Sequence, residues 1–387
     1  MSGLTYTPKR NRRGVTLVEL LVVVTLLSIL LGIAATAART GARGKKQREA
    51  ARQVNAFIAG ARTRALELGR SVGVEIVNNR PNEPQAGLTL FMVETPPPYA
   101  GNLTNSTCSI STVPTFGGVD SQGNNIGGKL TVRFNSTSDT LLLENDFLTR
   151  GDVVFFGYSN QPYYIDLPGA AASGSRDVVI TWNIDQPAPF PWYTSSMGTI
   201  TGPFKIYRQP QRNSVTPLQM PTGVCIDLAF SGLGTTGYGT NSTGIASQAF
   251  TGTPTTEEYP KIMFGPKGGV DAYYWQSGVT TTAVNTSATL PVGNINLLIG
   301  RYDKVIAVTD LGNDLSLPAN VLSLFTAPTD DGSNIADPEA MWVSINRLTG
   351  NIATTNNGAV SNTVASAPEA IASARRFAKQ AQNISGR

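Results

Sequence analysis

A chain of 387 residues is long enough for a substantial core, and its net charge of +4, from 30 Lys and Arg against 26 Asp and Glu, is concentrated near the amino terminus. It contains no histidine, which removes the commonest general base and the commonest transition-metal ligand, and it has no phosphate-binding loop. Two cysteines, Cys108 and Cys225, admit at most one disulfide. The chain opens with a leader whose charged residues are Lys9, Arg10, Arg12 and Arg13, with no acid before Gly14, a bias that favours the cytoplasmic side of a membrane. From Leu20 to Ala38 there is neither a charge nor a proline, and a helix of that length spans roughly 30 Å of hydrocarbon. At the leading edge of the run stands one carboxylate, Glu19; a charge near a bilayer centre costs on the order of 3 kcal/mol, so it needs a reason. A cleaved secretory signal, with Ala34 to Ala38 as its small-residue site, and a simple membrane anchor are two readings. A third takes in more of the residues: a basic leader, a glycine, and an apolar segment whose fifth residue is Glu.

The stretch Arg12-Arg13-Gly14-Val15-Thr16-Leu17-Val18-Glu19-Leu20 resembles the type IV prepilin signature, shared by type IV pilins and type II secretion pseudopilins. The resemblance implies a membrane peptidase that cuts after Gly14 and methylates the new amine of Val15, where the family more often has Phe. It also implies that Glu19 meets the terminal amine of a neighbouring subunit during assembly. A buried ion pair of that kind is neutral as a whole, and losing one partner strands the other charge.

Beyond the run, Arg39, Arg43, Lys45, Lys46, Arg48 and Arg52 form a second basic flank with Glu49 as the only acid, so charge asymmetry alone does not fix orientation. Val54, Phe57, Ile58, Ala61, Ala65 and Leu68 recur at intervals of three and four, which predicts one apolar helix face ending at Gly69. A single helix from Val15 to Leu68 would be roughly 80 Å long. After Gly69 the period becomes alternating. Strands are predicted at 71–77, 88–93, 129–134, 140–143, 153–156, 163–167, 178–182, 204–208, 224–230, 261–264, 272–275, 296–299, 341–346 and 351–354, separated by Gly, Pro, Asn and Ser clusters. The expected fold is α+β: a leader (1–14), a transmembrane and amphipathic stalk helix (15–69), a β-rich head with long insertions (70–365), and a short amphipathic carboxyl-terminal helix with its tail (366–387).

Three segments of the head are similar to the H-type, or FimT-like, minor pseudopilins: Ala61 to Val72, Ile262 to Gly269, and Val343 to Ile352. Residues from about 100 to 260 exceed the usual head of that group and are unread by resemblance. In the tail, Ser366 and Glu369 have capping-box spacing, and Ile371, Ala374, Phe377 and Ala381 form a stripe with Arg375, Arg376 and Lys379 on the other side. Because FimT-like pilins can bind DNA through basic residues near the carboxyl end, Arg375, Arg376 and Lys379 are DNA-binding candidates, against the plainer reading of a solvated face. Asp330, Asp331 and Asp337 collect oxygen ligands as candidates for calcium, although they lack EF-hand spacing and the same residues suit a turn. No other cofactor is expected. Trp182, Trp192, Tyr193, Tyr273, Tyr274 and Trp275 are candidates for a carbohydrate platform or a membrane-tethered enzyme, and equally for a β core.

These features converge on a structural, non-enzymatic subunit: a minor pseudopilin of a type II secretion system, single-pass in the inner membrane with its head in the periplasm. Its expected partners are a prepilin peptidase, other pseudopilins and an inner-membrane assembly platform. The alternative is a type IV minor pilin serving adhesion or DNA uptake.

Overall fold

The structure, a computed structural model, describes residues 16–77, 86–103, 106–121, 123, 125–135, 147–157, 160–172, 175–186, 198–233, 259–280, 283–289, 291, 293–305, 332–360 and 367–385. The predicted strand at 140–143 and the capping residue Ser366 lie outside them. Helix α1 runs Leu17–Leu68. Strands β1 (Val72–Val77), β2 (Ala86–Gly87), β3 (Thr89–Glu94), β4 (Cys108–Ile110), β5 (Thr115–Phe116), β6 (Gly128–Asn135), β7 (Val153–Phe156), β8 (Tyr163–Ala172) and β9 (Ser175–Trp182) follow. Next come β10 (Ile200–Gly202), β11 (Phe204–Tyr207), β12 (Gln211–Arg212), β13 (Leu218–Gln219), β14 (Val224–Leu233), β15 (Lys261–Phe264), β16 (Val270–Thr280) and β17 (Ala283–Thr289). The chain closes with β18 (Ile295–Arg301), β19 (Met341–Ile345), β20 (Ile352–Asn356), α2 (Ala367–Ala374) and α3 (Arg376–Ser385). It divides into two compact units, Met1–Lys46 and Gln47–Arg387.

In the first unit, the described apolar side chains from Leu17 to Leu31 are exposed all round the helix. A helix that is apolar on every face needs a non-aqueous or protein environment around it. Among the described residues no helix is long and apolar enough to cross a membrane; the described side chains of the run stop at Gly32, short of the roughly 20 residues a bilayer requires.

In the second unit, Ala50, Ala51, Val54, Ile58, Ala61 and Ala65 line the buried face of α1, the stripe that the three- and four-residue spacing predicts. Leu68, at its end, is 43% exposed. The helix stops where Gly69 adopts φ +62° and its N–H donates to the Ala65 carbonyl, a left-handed cap. That face packs on two antiparallel sheets. One has the order β12-β3-β1-β15-β16-β17, with β13 also on β3; the other runs β2-β14-β18-β19-β20. In the second sheet Ile295, Leu297 and Ile299 face α1, while Leu298 joins Trp342, Phe230 and Ile335 against Ala370, Ile371, Ala374 and Ala378. Burial on both faces explains why β18 reads as a nearly continuous apolar run.

The third sheet is an insertion with its own core. The chain leaves β3 at Glu94 and returns in β12, where Gln211 pairs with Glu94 and Arg212 with Val93. Between them lies the sheet β10-β4-β6-β9-β8-β7-β11, with β5 on β6. Its two ends, β10 on β4 and β11 on β7, are one strand interrupted at Pro203, so the sheet closes on itself as a small barrel without long free edges. Phe134, Phe156, Tyr163, Trp182 and Phe204 fill it. The insertion is in effect a hairpin whose loop is a complete barrel, which accounts for part of the stretch that no family resemblance reads.

Candidate functional site

The amino-terminal motif is built around the first turn of α1. Thr16 is the N-cap: its hydroxyl oxygen accepts from the Glu19 N–H at 3.2 Å, and its carbonyl accepts from the Leu20 N–H at 3.1 Å. Glu19 is therefore the third residue of the helix, where a carboxylate is favoured by the exposed amide dipoles of the helix start. Thr16 was missed by the sequence reading, although Thr three residues before Glu is a capping spacing. Gly14 and Val15 lie outside the described residues.

The three segments similar to the H-type group meet at one place. Arg62 of α1 donates through Nε to the Gly268 carbonyl at 3.0 Å, and the Val270 N–H donates to the Arg347 carbonyl at 2.8 Å. Gly350, at φ +65°, lies so close that a Cβ there would stand 1.9 Å from the Gly268 oxygen. Nearby, Glu94 accepts from Arg64, Arg70 and Asn213, tying the helix to the exit and return of the barrel. Burial pushes this carboxyl up, but the Asn213 and arginine contacts outweigh it and hold the group below its usual range.

The tail departs from expectation. One helix was predicted; a break at Arg375 makes two, α2 and α3. The buried face is Ala370, Ile371, Ala374, Ala378 and Gln382, whereas Phe377 of the predicted stripe is 39% exposed. Arg375, expected on the solvent side as a DNA-binding candidate, is buried instead. Its Nη2 donates to the Phe230 carbonyl at 2.6 Å, its guanidinium lies 5.1 Å from the Trp342 ring centroid, and burial pulls its pKa down to about 9. The reason is the bulge in β14 between Asp227 and Gly232, which turns carbonyls out of the ladder towards α2 and α3. Asp227 satisfies the opposite side of the bulge: its carboxylate accepts from the Ala229 N–H at 3.0 Å and Asn334 Nδ2 at 2.8 Å. Burial pushes Asp227 up to about 7. Ser231 repairs the ladder, donating to the Asp227 carbonyl and accepting from the Leu298 N–H. Arg376 and Lys379 are exposed.

Asp337, a calcium candidate, lies 3.5 Å from the Lys304 ammonium and accepts from the Glu339 N–H, so its oxygens have protein partners. Asp330 and Asp331 lie outside the described residues, and no group of three metal-binding side chains occurs among the described ones. Cys108 and Cys225 are buried and are not joined in a disulfide; burial pushes the Cys108 thiol up to about 12. Trp182 and Tyr273 are core residues, which removes them from any exposed carbohydrate platform; Trp192, Tyr193 and the Trp275 side chain lie outside the described residues.

Residues 9–35 match the family described as the prokaryotic N-terminal methylation motif. This is the type IV pilin and pseudopilin signal. No curated protein and no solved structure matches the chain. The motif implies processing by a prepilin peptidase and assembly with other pilin-like subunits, and its bearers are structural proteins rather than enzymes. The matched segment contains Thr16 and Glu19 and ends inside the apolar run.

Proposed function

We propose that the chain is a minor pseudopilin, a structural subunit near the tip of a type II secretion pseudopilus. Cleavage falls between Gly14 and Val15, the Val15 amine is methylated, and Glu19 pairs with the amine of a neighbouring subunit to set register. The segment from Leu20 to Ala38, without charge or proline, first holds the subunit in the inner membrane with its head in the periplasm and later packs in the filament. A separate cytoplasmic ATPase and an inner-membrane platform drive assembly. The methylation motif at residues 9–35 carries this reading, and the meeting of the Arg62, Gly268 and Gly350 segments supports its H-type form.

A second reading, a type IV minor pilin for adhesion or DNA uptake, is favoured by the barrel, which is separate from the rest of the head and suited to display. Deleting the gene in its host separates the two: loss of secreted protein supports the first, and loss of attachment or transformation with secretion intact supports the second. Glu19 also serves its own helix, so Glu19→Gln, which keeps the shape and removes the charge, is the informative substitution. Incorporation of the Gln variant into filaments at the wild-type level contradicts the ion-pair role.

A further inference from the structure

The cations of α1 fall into two sets. In the second unit Arg48 pairs with Glu339 at 3.0 Å, Arg62 donates to the Gly268 carbonyl at 3.0 Å and Arg70 reaches Glu94 at 2.8 Å, so these arginines serve the head. The earlier set, Arg39, Arg43, Lys45 and Lys46, follows directly on the apolar run and has no such use. Lys45 and Lys46 are exposed and make no ion pair among the described residues. Glu49, the nearest acid, accepts instead from Gln53 Nε2 at 3.3 Å. Arg39, Arg43 and Lys46 recur at i, i+4 and i+7 in α1, which places the three positions on one helix face, with Lys45 beside them. Like charges at this spacing repel and weaken a helix standing alone, and an anion lying along the face turns that repulsion into attraction.

We infer that Arg39, Arg43, Lys45 and Lys46 form a collar that binds the phosphates of anionic phospholipids. The inference deepens the proposed function and rests on its reading of Leu20 to Ala38 as a membrane segment. Position selects the partner. Arg39 is the first residue past the run, and at 1.5 Å per residue Lys46 stands about 12 Å beyond Ala38. The headgroup layer extends about 5–8 Å outside the hydrocarbon. Helix side chains lean towards the amino terminus, here back towards the bilayer, and the long stems of Lys and Arg carry their charges further, so all four reach the phosphate level. The stalk of a neighbouring copy cannot supply the anion there, because α1 has no acid between Glu19 and Glu49. Anionic headgroups attract such a cluster, and the attraction falls off within a screening length of the surface. The collar therefore holds the subunit at the bilayer surface until it leaves for the filament.

The test is electron paramagnetic resonance on the full chain reconstituted in phosphatidylcholine vesicles, comparing how strongly spin-labelled phosphatidylglycerol and spin-labelled phosphatidylcholine associate with the protein. Lys9, Arg10, Arg12 and Arg13 are changed to Gln throughout, so that the leader does not contribute. The collar is removed by Arg39→Gln, Arg43→Gln, Lys45→Gln and Lys46→Gln together, since Gln keeps the helix propensity of the residues it replaces. Arg52→Gln, further along α1, is the control. The expected result is a preference for phosphatidylglycerol of about fivefold, equivalent to about 1 kcal/mol. It falls below twofold in the collar variant and at about 1 M salt, where the screening length is about 3 Å, and it persists in Arg52→Gln. A chain that resists extraction by alkaline carbonate but takes up the two lipids equally overturns the collar and leaves the membrane anchor standing; a chain that carbonate extracts overturns both. The inference is also overturned by a collar variant that keeps the preference, by a preference that high salt leaves unchanged, or by loss of the preference on adding an equimolar DNA duplex, which would give these cations to nucleic acid.

Discussion

Replacing Arg375 by Ala should destabilise the head strongly, while Arg376→Ala one residue away should do almost nothing. The Arg375 guanidinium donates to the Phe230 carbonyl at 2.6 Å and to the Leu233 carbonyl at 3.5 Å, and it faces Trp342. Truncation strands a buried carbonyl, at about 1–3 kcal/mol, removes a desolvated cation–ring contact of about 2 kcal/mol, and opens a cavity between α3 and β14. Against this, the cost of keeping a cation buried is relieved, which is also why its pKa falls to about 9. The net loss expected is about 3 kcal/mol, or roughly 6 °C in melting temperature for a unit of this size. Arg376 is exposed, and substitutions at such positions stay within about 0.5 kcal/mol. Thermal melts followed by near-ultraviolet circular dichroism on the solubilised chain compare the two, with Arg375→Met keeping the aliphatic stem and falling between them. Equal melting temperatures for Arg375→Ala and Arg376→Ala would refute the placement of Arg375 in the β14 bulge, and with it the reassignment of this residue from nucleic acid to the core.

Asp227 binds its proton more tightly in the folded protein, about 7 against its usual 3.8, so the folded state holds more protons between those values. Stability is therefore greatest below about pH 4 and falls as pH rises to about 7, by on the order of 4 kcal/mol from this group. Asp227→Asn should flatten that part of the pH profile; an unchanged slope in chemical denaturation disproves it. Gly350→Ala should cost at least about 2 kcal/mol, because its Cβ meets the Gly268 carbonyl at 1.9 Å in addition to the left-handed backbone, whereas Gly223→Ala, at φ +85° with open space, carries the backbone term alone, about 1–2 kcal/mol. Identical melting temperatures for the two would contradict the close approach. Cys108, buried and pushed up to about 12, should react with a thiol reagent only after denaturant is added; labelling in the native state would show that the barrel core opens.

The parts of the fold legible in the sequence are those where one local pattern decides the structure. The Val54, Ile58, Ala61 and Ala65 spacing and the stop at Gly69 hold, and the predicted strands at 153–156 and 261–264 have the bounds of β7 and β15. The two-residue strands β2, β5, β12 and β13 carry no period to read, and they exist because longer neighbours hold them. Closure of the barrel depends on Pro203 splitting one strand between partners far apart in sequence, which no window along the chain contains. Cys108 directly follows the polar run Asn105-Ser106-Thr107, yet its strand lies in the barrel core. Arg375 was misplaced because helical periodicity sorts residues by polarity, whereas the β14 bulge supplies carbonyls that make a buried guanidinium tolerable.

The most direct test of the account is co-expression with a prepilin peptidase followed by intact-mass analysis of the purified chain. The predicted product begins at Val15, has lost residues 1–14 and carries one added methyl, and Gly14→Val prevents the change. A mature chain that begins at another residue, or one that keeps its full mass beside an active peptidase, contradicts the pilin-like reading.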